Sequence, residues 1–338
     1  MTHVQIPSPR DRYDGPVTPH ALWHTRRALL KDMGFLGLSA LIGLATGCIR
    51  TPEDSSGVNS QTHRKLVPGE DPSAVPPDGV FPAPLHPDYR DAGRPLTPEA
   101  IAGRYNNFYE FTQQKDQVWQ LVENMKTRPW SVEVGGLVQR PKTYDIDDIL
   151  TRFAMEDRVY RFRCVEAWAM TVPWTGFPLL HLIQEVAPLS SATHVRFVSL
   201  LDRQACPGQR SDHWDPAGWP YYEGLTMAEA THPLTLLATG IYGHQLPRQH
   251  GAPIRLIAPW KYGFKSIKSL VRIEFVNDRP GTFWNDFAPH EYSFHANVDP
   301  KVPHPRWSQA TERLIEDGRR VPTLPYNGYG KQVAHLYE

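Results

Sequence analysis

The sequence predicts a strand-rich, mixed α+β fold, and three observations carry that expectation. Residues 270–276 alternate, with Val271, Ile273 and Phe275 set against Arg272 and Glu274, the period of a strand with one buried face. Apolar runs of strand length outnumber helical patterns. Strands and helices also fail to alternate regularly, which argues against a doubly wound parallel sheet.

Taken in order, ordered structure is expected from about Ala100. Residues 130–138 read as a strand broken by Gly135-Gly136, and residues 143–153 as a short helix. A strand follows over residues 159–168. Residues 179–186 read as a helix after Pro178, residues 194–201 as a strand and residues 225–230 as a helical segment. Residues 253–260 and 270–276 complete the strands. The C-terminal third is rich in Pro, Trp and Tyr and reads as irregular but packed. There is no internal repeat.

The N-terminus carries an address. Thr25-Arg26-Arg27-Ala28-Leu29-Leu30-Lys31 precedes an apolar run from Met33 to Gly47. The run is shorter than the roughly 20 residues a membrane span needs. Residues 1–48 therefore read as a twin-arginine export signal. That route carries folded proteins, which points to a cofactor inserted before export. Ala45-Thr46-Gly47-Cys48 resembles a lipobox, with Ala45 where leucine is usual. A lipid anchor at Cys48, ordinary cleavage and an uncleaved signal all stay open. Residues 49–98 read as a Pro-rich linker or surface coil, and residues 99–338 as one domain.

Composition narrows the classes. The chain has 338 residues, with 36 acidic and 36 basic, so it shows no nucleic-acid footprint. Three cysteines make no disulfide scaffold. There is no Gly-x-Ser-x-Gly elbow, no phosphate-binding Gly-Lys-Ser/Thr loop and no Gly-x-Gly-x-x-Gly. The fifteen histidines are scattered without a zinc-site spacing.

Chemistry concentrates in three stretches. In Val159 to Trp168, alternation places Tyr160, Phe162 and Cys164 on one face and Arg161 and Arg163 on the other. A thiol close to arginines is easier to deprotonate, and the thiolate is the form that binds metals or attacks. A cysteine packed as a small hydrophobe is the other reading, and the local pattern leaves both open. The second stretch, Tyr105 to Phe111, sets amides, a phenol and a carboxylate between aromatics. By itself it reads best as a packed aromatic segment with Asn in turns. The third runs from Gly251 to Lys268. Arg255 lies in an apolar strand and should need an anionic partner there. Lys261, Lys265 and Lys268, with Gly263 and Ser266, suit an anion such as a phosphate.

These motifs resemble a known family. Tyr105 to Phe111, Arg163-Cys164-Val165-Glu166-Ala167-Trp168, Pro173-Trp174, Gly176-Phe177-Pro178, Gly251-Ala252-Pro253, Pro259 to Lys265 and His304 to Glu312 carry the resemblance, over about residues 100–335. They are similar to the catalytic, molybdopterin-containing subunits of bacterial periplasmic protein-methionine-sulfoxide reductases, within the sulfite oxidase-fold group. The resemblance implies a sulfite oxidase-type molybdopterin-binding fold and a molybdenum–molybdopterin cofactor. It implies that Cys164 is the protein ligand to molybdenum and the catalytic residue. Asn106, Tyr109 and Glu110 would contact the pterin. Arg255 and Ser266-Ile267-Lys268 would hold its phosphate end. Ser199 stands where some members carry threonine, and His250 where some carry asparagine. Cys206 matches no family ligand.

The implied reaction is oxygen-atom transfer that repairs methionine sulfoxide in exported proteins. Electrons would come from a haem-binding membrane subunit and the quinone pool, and the catalytic subunit would be a periplasmic monomer. Trp168, Trp214, Trp219 and Tyr262 are candidate walls of an open substrate cleft. Two rivals remain. One is another sulfite oxidase-fold enzyme acting on sulfite or small S- or N-oxides. The other is a lipid-anchored, non-catalytic binding protein with a Cys164–Cys206 disulfide.

Overall fold

Apolar residues at every second position build the first sheet. The computed structural model describes residues 68–214 and 217–338. The export-signal reading of residues 1–48, with Arg26, Arg27 and Cys48, lies outside them. In β1 (Ser131–Gly136) Val132 and Val134 are buried while Ser131 and Glu133 face out. β2 (Lys142–Asp145) pairs antiparallel with β1, and β10 (Leu270–Val276) pairs parallel with it. β5 (His194–Ser199) and β6 (Tyr222–Thr226) extend the sheet to the order β2-β1-β10-β5-β6. The register shifts between Leu270 and Arg272, so Leu270 joins Ile273 and Phe275 on the buried face and Val271 is only half-buried. Helix Leu179–Val186 packs into the same core through Leu179, Leu182, Ile183 and Val186, the i, i+3, i+4, i+7 face of an amphipathic helix. It ends at Ala187 in a left-handed conformation.

The second sheet is centred on two strands buried on both faces. It runs β12-β11-β4-β7-β8, with β3 added on β4 and β9 on β7. Its members are β3 (Glu156–Arg163), β4 (Trp168–Pro178), β7 (Leu236–Ile241), β8 (His244–Gln245), β9 (Arg255–Ile257), β11 (Thr311–Leu314) and β12 (Arg320–Pro322). Every residue of β7 is buried, and nearly every residue of β4. β4 is the spine. It pairs with β3 from Ala169 to Gly176, with β11 at Trp168 and Ala169, and with β7 from Trp174 to Pro178.

The α+β expectation holds, and several boundaries shift. Residues 143–153 are not one helix. β2 runs to Asp145, whose side chain then accepts the Asp147 N–H and starts helix Ile146–Arg152. Residues 225–230 split in the same way. β6 ends at Thr226, which forms a capping box with Glu229 over the short helix Met227–Ala230. Of residues 253–260 only Arg255–Ile257 pair. Packing begins well before Ala100, because Glu70, Asp71, Ala74 and Thr97 are buried. The Thr97 N–H bonds to the Thr171 carbonyl at 2.8 Å. Among the described residues no helix is long and apolar enough to cross a membrane.

The end of β3 is fixed by a buried ion pair. Arg163 and Glu312 on β11 are both 0 % exposed. Arg163 Nε donates to Glu312 Oε2 at 2.9 Å and Nη2 donates to Gln309 Oε1 at 2.8 Å. Arg94 pairs with the other Glu312 oxygen at 2.5 Å. Removing one partner leaves a buried charge uncompensated, which costs about 3–5 kcal/mol. Glu312→Ala should therefore lower the unfolding free energy by about that amount in a urea titration. A loss below about 1 kcal/mol, the scale of an exposed pair, would show that the pair carries no such weight.

Candidate active site

Cys164 sits one residue past β3, in the turn that leads into β4. The Ala167 N–H bonds to the Cys164 carbonyl at 3.1 Å, and the Cys164 N–H bonds to the Trp168 carbonyl at 2.9 Å. Ala167 adopts φ 61° to close the turn, a left-handed conformation that costs a residue with a side chain roughly 1–2 kcal/mol. Three outside bonds offset that strain. Trp307 Nε1 and Gln309 Nε2 donate to the Val165 carbonyl at 2.7 and 2.8 Å, and the Arg313 N–H donates to the Ala167 carbonyl at 2.9 Å.

The sulfur faces a network the sequence did not single out. Asn107 Nδ2 donates to Cys164 Sγ at 3.0 Å, and the Glu166 N–H donates to it at 3.4 Å. Asn107 also donates to Glu166 Oε2 at 3.1 Å, Tyr109 donates its hydroxyl to Glu166 Oε1 at 3.3 Å, and Lys115 pairs with Glu166 at 3.0 Å. Burial pushes Glu166 up, but Lys115 and these donors hold it below the ordinary carboxylate value.

The arginines do not activate the thiol as the alternation suggested. Arg163 points its guanidinium at Glu312, and Arg161 Nε bonds to the Ala92 carbonyl at 2.6 Å. Burial instead pushes the Cys164 thiol well up, and the Glu166 charge adds to that shift. The Glu166 N–H, Arg163 and Lys115 oppose it without prevailing. A bound cation is what would turn this thiol into a thiolate. Among the described residues no group of three or more His, Cys, Asp or Glu is placed to hold a metal ion alone. A metal at Cys164 would therefore need ligands beyond such a cluster, which a bound cofactor can supply.

The thiol lines a cleft of about 900 Å³. Of the residues expected at the site, Asn106, Tyr109, Glu110, His250, Arg255, Ile267 and Lys268 line it with Cys164. Ser199 and Ser266 stand behind the lining. Ser199 Oγ donates to Glu110 Oε1 at 3.5 Å. Ser266 gives its carbonyl to Arg255 Nη2 at 2.7 Å and its hydroxyl oxygen to the Ala258 N–H at 3.1 Å. Trp168 and Trp219 are walls of this cleft. Trp214 is not: it stacks on Tyr109 with ring centroids 5.5 Å apart. Tyr262 lines a neighbouring cleft instead. Asn107, Glu166 and Tyr292 are among the lining residues to which the sequence reading gave no role. Asn107 had a signal, since it adjoins Asn106 in the aromatic segment.

One end of the cleft is positive. Arg255 is buried, with Nη1 on the His250 carbonyl at 2.8 Å and its guanidinium 5.0 Å from the Trp174 ring centroid. Its Nε has no hydrogen-bond partner, and among the described residues no carboxylate pairs with it. Burial alone pulls its pKa down to about 9. Burial and Arg255 pull Lys268 down to about 7, against Glu110 and Cys164. Burial raises Glu110, against Lys268 and Ser199. Gly251, at φ 94°, lets the backbone pass Lys268, because a Cβ there would come within 2.5 Å of the lysine Cβ.

The other two lysines of that stretch are committed elsewhere, contrary to the three-lysine reading. Lys261 binds Glu229 at 2.5 Å, the His295 carbonyl at 2.8 Å and Asn297 Oδ1 at 3.0 Å. Lys265 pairs with Glu223 at 2.7 Å, both fully buried. Burial, Arg255, His244 and Lys268 pull His250 down to about 3, so the ring is neutral. Asn106 Nδ2 lies 3.3 Å from His250 Nδ1 and donates to that neutral nitrogen. This leaves Asn106 Oδ1 buried and unpartnered, as is Asn107 Oδ1. Cys164 and Cys206 are both free, so the disulfide of the non-catalytic rival is absent.

These features fit a molybdenum–molybdopterin group. A lone thiol suits the metal, unpartnered amide oxygens suit N–H donors on a pterin, and uncompensated cations suit a phosphate. The family and sequence comparisons agree. The family model "Oxidoreductase molybdopterin binding domain" matches residues 119–284. The protein-methionine-sulfoxide reductase catalytic subunit MsrP of Burkholderia mallei is 45% identical over 328 residues, covering 95% of this chain and 91% of that protein. The crystal structure of the sulfane dehydrogenase SoxCD from Paracoccus pantotrophus aligns with a TM-score of 0.38 at 17% identity, over 46% of this chain and 40% of that one. The chain belongs to the family of protein-methionine-sulfoxide reductase catalytic subunits, oxidoreductases whose cofactor is molybdenum–molybdopterin.

Proposed function

We propose that this chain reduces methionine sulfoxide in exported proteins. One observation carries the reading: a single buried thiol and a guanidinium without a counter-charge share one solvent-open cleft. When bound, the cofactor supplies two-electron oxygen-atom-transfer chemistry at sulfur. The overall balance is one sulfoxide, two electrons and two protons giving one thioether and one water. Repair has a clear use, because oxidation makes an apolar methionine side chain polar.

The chain's own groups hold and orient. Cys164 is the protein ligand to molybdenum, and Asn107 and the Glu166 N–H stabilise its thiolate by donating to Sγ. Asn106, Tyr109 and Glu110 contact the pterin, with Ser199 and His250 fixing Glu110 and Asn106. Arg255 and Lys268 hold the phosphate end beside Ile267, and Ser266 positions Arg255. The Tyr292 hydroxyl, whose pKa burial pushes up to about 12, stands protonated beside the site and can donate a hydrogen bond. Residues 1–48 are a twin-arginine signal and residues 99–338 the catalytic domain, against which the stretch from Glu70 to Thr97 also packs. The protein works in the periplasm as a monomeric subunit. Its electrons come from a separate haem-binding membrane subunit that draws on the quinone pool.

Two variants test the site. Arg255→Ala should purify with little pterin, since an unpaired phosphate in a buried site costs about 3–5 kcal/mol. Cys164→Ser should keep its fold and lose all reductase activity. Normal cofactor content in the first variant, or full activity with normal metal in the second, would remove those roles.

The substrate is tested with a reduced artificial donor and an oxidised protein, and separately with sulfite and an electron acceptor. Restored methionine is expected. Rapid sulfite oxidation without repair would overturn the reductase reading.

Location is tested by changing Arg26→Lys together with Arg27→Lys, which should leave the precursor in the cytoplasm. Normal periplasmic accumulation of that double variant would mean another signal is read. Mass spectrometry of the exported N-terminus decides whether Cys48 carries lipid.

A further inference from the structure

A second cleft, of about 1410 Å³, opens beside the first and shares Val165, Phe264 and Tyr292 with it. Its floor is apolar and tied down. Tyr262 and Val298 are buried, the Tyr262 N–H bonds to the Ala296 carbonyl at 2.8 Å, and the Val298 N–H bonds to the Trp260 carbonyl at 3.1 Å. Its rim is irregular, exposed chain that includes Ser293 and Val302, the latter 62% exposed.

Charges of both signs lie along the groove, Glu291 and Asp299 beside Lys301 and Arg306, and some of them are paired within the protein. Glu291 pairs with Arg306 at 2.6 Å and His304 at 3.3 Å, and His295 pairs with Glu229 at 3.2 Å. Asp299 Oδ1 accepts the Lys301 N–H at 2.8 Å. The groove therefore presents no field of one sign to select a charged small molecule. It offers an apolar floor and a polar rim, the anatomy of a polypeptide-binding surface. It meets the first cleft at Val165, the residue next to Cys164. A chain lying along it would bring a side chain past Phe264 and Tyr292 to the site.

We infer that this groove seats the polypeptide segment flanking the oxidised methionine, a proposal that rests on the reductase reading. Its occupant is a stretch of protein chain bound through apolar contacts and its backbone, with no fixed charge pattern. The test uses the holoenzyme carrying Val302→Cys, modified at that position with a bulky maleimide polymer, and the parent enzyme treated identically. Blocking the groove should lower kcat/KM for an oxidised protein by about tenfold, the scale of losing one interface contact region. Turnover of free methionine sulfoxide should stay at the parent level. Undiminished turnover of the oxidised protein by the blocked enzyme overturns the groove. So does an equal loss for both substrates, which would mean that the polymer obstructs the site itself. Failure of the parent enzyme on both substrates is a different result, sinking the reductase reading and the groove with it.

Discussion

The buried pair between Arg163 and Glu312 is the interaction on which the site depends. Arg163 and Cys164 are neighbours, but they serve opposite ends of the same piece of backbone. The arginine side chain is locked to β11 and Gln309, and the thiol faces the cleft. The same C-terminal stretch grips the next residue, since Trp307 and Gln309 both donate to the Val165 carbonyl. The turn is thus held from outside the cleft, and the direction of the sulfur is set before any cofactor arrives. A ligand fixed by its supporting shell loses little entropy on coordination. The cost is that two fully buried charges must be kept paired, which makes the C-terminal segment indispensable to a site more than a hundred residues earlier in the chain.

Counter-charge separates the cations that build the fold from those that bind. Lys261 and Lys265 are buried, yet each has its own carboxylate, Glu229 or Glu223. Arg255 has backbone carbonyls and aromatic faces but no carboxylate, and Lys268 has the Phe108 ring, with Glu110 acting only from beyond ion-pair distance. A buried charge without a partner is costly, and the depressed pKa values of Arg255 and Lys268 register that cost. An anion that settles there relieves it, and the stored penalty becomes binding energy.

This distinction also explains how much of the site could be read from sequence. Cys164, Arg255 and Lys268 stood out because a thiol, an arginine in an apolar strand and a basic loop are unusual where they occur. The local pattern could not tell Lys268 from Lys261 and Lys265, because their carboxylate partners lie dozens of residues away; only the family resemblance singled it out. Asn107 was hidden by its neighbour, since nothing local decides which of two adjacent amides reaches the sulfur. The fold shows the same division. β10 and helix Leu179–Val186 were legible from their periodicity. β4 and β7 were not, because strands buried on both faces do not alternate. β4 also contains Pro173 and Gly176, which read as breakers, yet its ladder with β3 runs on through both. The alternation through Val159 to Trp168 was extrapolated one turn too far. β3 stops at Arg163, and that stop frees Cys164 from the ladder.

The turn at residues 164–167 also divides two kinds of recognition. On one side, the cofactor cleft uses charge and directed amides, which suit one ligand of fixed shape. On the other, the groove has an apolar floor and rim charges of both signs, which suits chains of varied sequence. An enzyme that repairs a side chain within many proteins needs both, and they conflict if mixed. A rim of one sign would favour oppositely charged neighbours of the methionine, and an apolar patch at the phosphate end would give up cofactor affinity. Val165 lines both clefts while its carbonyl is held by two donors. The boundary is therefore rigid backbone, so the groove can adapt to different chains without moving the sulfur that the cofactor depends on.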